Sequence, residues 1–506
     1  MNEFFTKLTD INNVVNTWIW TDFGLYLLLA AGVIMTLVTG VFQVSHLRHW
    51  WSNTIMTIFK KDNAATKKTD AKSITQFQAL CTALAATIGT GNIAGVAAAI
   101  CIGGPGAVLW MWVAAFVGMM TKYSEAVLGV YYRRKNKDGE WSGGPMYFIS
   151  DGLGKIKGLK VPAAILAVLF AAFTILASFG IGNMGQVNKI VLNMESAFFA
   201  NVNWTIGSVN MVNLSIGIAL LIVGAVIIIG GLQRVAAFAE KVVPFMAIAY
   251  IFFGLIAMFI NFDMILPAIK SIFVHAMGVE ALAGGAAGAA IKLAVVQGCK
   301  RGVYSNEAGL GSSALVHASA DVKEPVKQGM WGIFEVFLDT IVVCTMTALI
   351  ALTSGQIDLE AGMAKAGVSD ATLISDAFGN VFGQPGRWFV ALAMLFFAFT
   401  TVLGWSQYGS KAVEYLFGTK GVKVYKIIFV LMIVSGSVMT SSLAWDISDT
   451  FNGLMMIPNL IGVVALSPMV FKITRNYAAR KMKGCNVKPM YSYDPEIQDA
   501  FEKANQ

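Results

Sequence analysis

Apolar residues along this chain fall into blocks close to twenty long, set apart by short polar segments, which predicts a series of membrane-spanning helices. Eleven blocks are predicted, at 22–44, 76–102, 106–132, 161–192, 211–230, 235–260, 281–300, 329–353, 387–409, 427–441 and 450–473. The expected fold class is an all-α polytopic membrane protein. One block is interrupted: the run from Leu84 to Ile100, LAATIGTGNIAGVAAAI, is broken in its middle by Gly89-Thr90-Gly91-Asn92. Lipid offers no partner for freed amides and carbonyls, so such a break has to line a protein cavity.

With the first span set aside, the other ten divide into two sets of five, and an odd number per set inverts the second set relative to the first. The leading span of the second set also carries glycines, Gly284-Gly285-Ala286-Ala287-Gly288. Glycine-interrupted spans at matching places in inverted halves point to a transporter's midplane site, while close helix packing is the competing use of such glycines. The division expected is 1–75 for an extracellular N-terminus, extra span and basic loop, 76–260 and 261–473 for the two halves, and 474–506 for a tail.

Composition agrees with a bilayer partner: 56% of the 506 residues are hydrophobic and 13% charged. The segment before the first block, with Glu3, Lys7 and Asp10, lacks the pattern of a cleaved secretory signal. Net charge is +8, but the cations cluster in alternate connections: Arg48 to Lys72, Arg133 to Lys160, Arg234 and Lys241, Lys300 to Lys327, Lys411 to Lys426, and Lys472 to Lys503. The positive-inside rule puts that side in the cytoplasm, with the N-terminus outside and the C-terminus inside. It explains the charge without nucleic acid. The five cysteines show no paired spacing and read as packing residues or free thiols.

A site at the first break would suit a zwitterion. Amides of Thr90 and Gly91 are expected to face a carboxylate and carbonyls around Gly285 and Gly288 an ammonium. Gln186 and Asn188 could supplement either group, and Trp405 could close over the substrate, with helix packing as the alternative for all three. Thr400 and Thr401 offer hydroxyls beside the Phe397 carbonyl, although threonines commonly bond back to their own helix. Lys292 could pair with Glu335 or Asp339, which are four apart, or snorkel towards the cytoplasm near Lys300, and Asp446 and Asp449 fall at the external start of the last span. The block Ser305 to Ser312, with Arg301, is expected as a folded gate in a cytoplasmic connection; it lacks the strand and lysine of a P-loop. His46, His49, His275 and His317 are placed in loops with no metal-ligand spacing. No nucleophile and base set marks an enzyme, and two broken helices at one site argue against an open channel.

Gly89-Thr90-Gly91-Asn92-Ile93-Ala94-Gly95, Gly103-Gly104-Pro105-Gly106, Gly143-Gly144-Pro145-Met146, Ser305-Asn306-Glu307-Ala308-Gly309-Leu310-Gly311-Ser312 and Phe397-Ala398-Phe399-Thr400-Thr401 resemble the alanine/glycine:cation symporter family from about Gln76 to Pro468. The resemblance implies a LeuT-type fold of ten core helices preceded by one span, in the cell membrane, coupling sodium to uptake of small neutral amino acids with no organic cofactor. It implies a substrate site at Thr87, Gly89, Thr90, Gly91, Asn92, Gln186, Asn188, Gly285, Ala286, Gly288 and Trp405. It also implies sodium on Ala85, Ile88, Phe397, Thr400 and Thr401. Some members carry an aromatic residue where this chain has Ala286, so a pocket admitting glutamine or serine besides alanine and glycine is expected. A proton-driven carrier of the same fold is the alternative; in some relatives a lysine on the fifth core helix replaces the sodium, and Lys241 is on that helix here.

Overall fold

The computed structural model describes residues 2–60, 65–207, 209–278, 286–439 and 441–504. Its helices of eight residues or more begin with α1 (Asn2–Thr17), α2 (Gly24–Val38), α3 (Gln76–Thr87), α4 (Val96–Gly103), α5 (Ala107–Tyr131), α6 (Lys160–Phe179) and α7 (Gly185–Phe198). Next come α8 (Met211–Ile229), α9 (Gly231–Ile260), α10 (Ile265–Met277), α11 (Ala286–Asn306), α12 (Pro325–Val336) and α13 (Thr345–Thr353). The last are α14 (Leu373–Phe382), α15 (Gln384–Val438), α16 (Ser441–Ala465), α17 (Ser467–Lys481) and α18 (Pro495–Lys503). Wider π turns at Gly180–Met184 and Phe337–Cys344 join α6 to α7 and α12 to α13. Among the described residues three two-residue antiparallel hairpins sit in connections; in the first, Arg134 stands opposite Ser142.

Among the described residues seven helices are long and apolar enough to cross a bilayer, or up to nine if each of two bent pairs is one crossing. The pairs are Gln76–Thr87 with Gly91–Gly103, bent by 52°, and Asp449–Ala465 with Ser467–Lys481, bent by 58°. The blocks predicted at 387–409 and 427–441 are joined as α15, where Gly418 at φ 72° marks the kink between them. α17 runs through the boundary predicted at 473.

Burial sorts these helices. α5 is enclosed along most of its length, whereas α9 turns Phe245, Ile248, Phe252 and Phe259 outward, the bare apolar face that a lipid-contacting helix presents. α11 lies alongside α5 through close glycine contacts. A side chain on Gly298 would strike the Ala107 carbonyl, Gly302 lies over Met111, and Ala308 meets Gly118 halfway down α5. Small residues at such spacing let two helices approach backbone to backbone.

That register leads into a second interruption, after α11. α11 is continuous from Ala286 to Asn306, and the chain turns immediately afterwards, with left-handed φ at Glu307 (56°), Gly309 (94°) and Gly311 (74°). A helix cannot continue through three such residues. The turn and the short helix after it, Ala314–His317, are buried. The block read as a cytoplasmic gate is therefore a break in mid-protein. Gly284 and Gly285 lie outside the described residues, as do the side chains of Ala286, Ala287 and Asp446.

Candidate functional site

The first broken helix starts from a fixed point. Thr75 accepts at its hydroxyl from Gln78 N at 3.0 Å while the Gln78 side chain accepts from Thr75 N at 3.1 Å, a capping box that satisfies two amides at the start of α3. The helix ends at Ile88. Gly89 N–H, which an unbroken helix would give to Ala85 O, donates instead to Asn92 Oδ1 at 2.9 Å. Thr90 N–H donates to Gln186 Oε1 at 3.3 Å, so the amide expected to hold a carboxylate already faces an oxygen from α7. Thr87, Thr90 and Asn92 are buried.

Thr401 completes this side of the break. α15 crosses α3 with Gly404 against the backbone of Ala86, and a Cβ on Gly89 would collide with Thr401 Oγ1. Only glycine fits there. Thr400 and Thr401 both donate to Phe397 O at 3.0 Å. Their hydroxyls differ in outlook: Thr401 faces the break, while Thr400 lies 3.8 Å from Met246 Sδ on α9. Uncharged oxygens from Thr401, and from the α3 end that Gly89 no longer caps, suit a monovalent cation in a site that cannot afford net charge.

The second break packs on the first. A Cβ on Gly91 would fall 3.0 Å from Ser305 Cα and 3.1 Å from Tyr304 Cδ1. Asp339, in the π turn after α12, ties the two together: its carboxylate accepts from Asn92 Nδ2 at 2.7 Å, Ser305 Oγ at 2.7 Å and Thr340 Oγ1 at 2.8 Å. Tyr304 and Asp339 are the residues of this junction whose roles the sequence reading missed. A carboxylate in an apolar block was the available signal.

Several expected residues lie elsewhere. Asn188 points away from the break and donates to Gly436 O and Met439 O at 3.4 and 2.8 Å. Trp405 is packed on Gly182 and edge-on to Tyr408, 5.4 Å between ring centres, so it is enclosed by protein. Gly288 is exposed, about 25 Å along α11 from Ser305 at ~1.5 Å per residue, and is not brought to the break. Lys292 is exposed and does not pair with Glu335. Lys300, expected on the opposite side from Asp449, is in fact paired with it at 2.7 Å, because α11 carries Lys300 within the helix and not in a connection.

The partner of Glu335 is Lys122 of α5. Their ion pair is 3.0 Å long and fully buried, Lys122 also donates to Asn306 O at 2.8 Å, and His317 lies 3.0 Å from the other Glu335 oxygen. His317 thus belongs to the interior and not to a loop. Lys122→Met should destabilise the protein by about 3–5 kcal/mol, since it strands a buried carboxylate. Thermal unfolding in detergent would read this as a lowered midpoint, partly recovered in Lys122→Met/Glu335→Gln.

A cavity of about 560 Å³ leads toward this junction from one end of the molecule. It reaches Ala94, just beyond the break, and is lined there by Lys189, Asn193, Asp376 and Arg387. Toward the Lys411 end, the Glu307 turn and residues through Ala320 are buried.

The sodium:alanine symporter family matches residues 5–491. The chain is 43% identical to the sodium/alanine symporter AgcS of Methanococcus maripaludis, over 92% of this chain and 96% of that protein. It is 36% identical to the probable sodium/glutamine symporter GlnT of Bacillus subtilis, over 94% and 92% respectively. Among solved structures, MhsT in complex with L-phenylalanine aligns with a TM-score of 0.53 at 12% identity, covering 80% of this chain and 99% of that one. This likeness concerns the fold, which is LeuT-like.

Proposed function

We propose that this chain, which belongs to the sodium:alanine symporter family, couples inward sodium movement to uptake of a small neutral amino acid by alternating access. It is a membrane transporter and not an enzyme. The substrates of this reading are alanine and glycine, with glutamine or serine if the pocket is roomy. The reading includes two inverted sets of five core helices after the first span, an N-terminus outside and a cytoplasmic C-terminus.

The observation that carries it is the junction of the two breaks, with Thr401 Oγ1 on Gly89 and Ser305 on Gly91. Sodium sits between Thr401 and the carbonyls of Ala85 and Ile88, and the substrate carboxylate displaces Gln186 Oε1 from the Thr90 amide while Gln186 turns to donate from Nε2 to the same carboxylate. The ammonium meets carbonyls freed at the second break, in place of those expected around Gly285 and Gly288. One sodium moving down a tenfold gradient and 100 mV releases about 3.7 kcal/mol, enough to sustain a solute gradient of roughly several hundredfold. Sodium is favoured over protons as the driving ion because the α9 residue against Thr400 is Met246, whereas Lys241 is exposed.

Uptake of labelled alanine, glycine and glutamine into proteoliposomes, under sodium, lithium or proton gradients in turn, tests the reading. Sodium should be required, and accumulation driven by a proton gradient alone would overturn it. The same assay separates two neighbours: Gln186→Ala should weaken alanine by at least about tenfold, ~1.4 kcal/mol. Asn188→Ala, whose side chain is turned to Met439, should leave alanine affinity unchanged.

A further inference from the structure

Beyond the junction lies a buried acidic cluster that the symport reading does not use. Glu125 of α5, Glu307 of the second turn and Glu335 of α12 are all buried. Glu335 is balanced by Lys122 at 3.0 Å. Glu307 accepts from Ser312 Oγ at 2.5 Å, within its own turn. Glu125 is held differently. Its Oε1 accepts from Gly311 N at 3.1 Å and from Asn459 Nδ2 of α16 at 2.6 Å, and Asn459 Nδ2 also donates to Gly309 O at 2.8 Å. This one carboxyl group therefore ties the turn to α5 and α16.

Its other oxygen is bare. Among the described residues Glu125 Oε2 has no hydrogen-bond partner, and neither does Oδ1 of Asn459 or the hydroxyl of Tyr408. Tyr408, fully buried on α15, lies among the carboxylates of Glu307, Glu335 and Glu125. The titratable and charged groups around Glu125 are thus Lys122 on its own helix, Glu307 on the turn, Glu335 on α12 with His317 behind it, and Tyr408 on α15. Lys122 is committed to Glu335 and Asn306. A carboxylate with a bare oxygen in such a place is costly, whereas a protonated one carries no charge to bury.

We propose that Glu125 is a proton-binding site, distinct from the sodium site at Thr401, and that its carboxylic acid, joined to Asn459, latches the Glu307–Ser312 turn in the closed arrangement seen here. Opening the turn removes the Gly311 and Gly309 contacts and exposes Glu125 to water, where it releases the proton. By linkage, rising pH favours whichever arrangement has let the proton go.

Infrared difference spectroscopy of the reconstituted full-length protein, titrated from mildly acidic to alkaline buffer, reads the site without relying on transport. Wild type should show a protonated carboxylic-acid band that is lost as pH rises. Glu125→Gln should lack that band, and Glu125→Asp should shift it; the second variant serves if the first does not fold. Sodium-driven uptake by Glu125→Gln should also lose the wild type's dependence on pH. A band that persists unchanged in both variants overturns the proposal, whether or not the protein proves to be a sodium symporter.

Discussion

Gly91→Leu is expected to weaken substrate binding by roughly 10- to 100-fold or more, while leaving the protein inserted and monodisperse. The first added carbon already lies 3.0 Å from Ser305 Cα and 3.1 Å from Tyr304 Cδ1, so the rest of the side chain has to push the two breaks apart. Overpacking a close-fitted contact costs about 1–3 kcal/mol, and here the cost falls on the arrangement that presents the Thr90 and Gly91 amides. Gly91→Ala, with a single carbon in the same place, should show a smaller loss in the same direction. Ligand-dependent thermal stabilisation in detergent checks both variants, with size-exclusion profiles as the control for folding. Wild-type alanine affinity in Gly91→Leu would remove this segment from the site.

How much of this junction can be read in the chain depends on what each residue's neighbours are. Gly89-Thr90-Gly91-Asn92 is legible because it interrupts an apolar run from within, and bilayer physics alone makes that an anomaly. The turn from Glu307 to Gly311 is not legible as a break because a glutamate there reads as a solvated connection, whereas Gly284 and Gly285 lie outside the described residues. Burial of that glutamate depends on contacts made only in the folded chain, among them the packing of α11 on α5 at Gly298 and Gly302. For the same reason Lys122 cannot be matched to Glu335 by spacing. Gln186 and Asn188 are two apart on a helix, so they point about 160° apart and cannot both face the break; the structure gives Gln186 to Thr90 and Asn188 to Met439.

Thr401→Ala should raise the sodium concentration needed for half-maximal uptake by about 10- to 100-fold with little change in the order of substrate preference. The hydroxyl sits over Gly89, at the end of α3 where Gly89 N–H has left Ala85 O for Asn92 Oδ1. A cation there draws on Thr401 Oγ1 as one of few oxygens, and an interaction between a hydroxyl and a charge is worth about 1.5–3 kcal/mol. Thr400→Ala supplies the contrast. Both threonines donate to Phe397 O, yet Thr400 is turned to Met246, so its loss should change sodium affinity much less. Thr401→Ser, which keeps the oxygen and removes only the methyl group, should restore most of the affinity. Measuring sodium dependence at saturating alanine in all three variants separates a ligand from a packing residue. If Thr401→Ala and Thr400→Ala shift sodium affinity equally, or if serine fails to rescue, the hydroxyls serve their own helix and the cation is bound elsewhere.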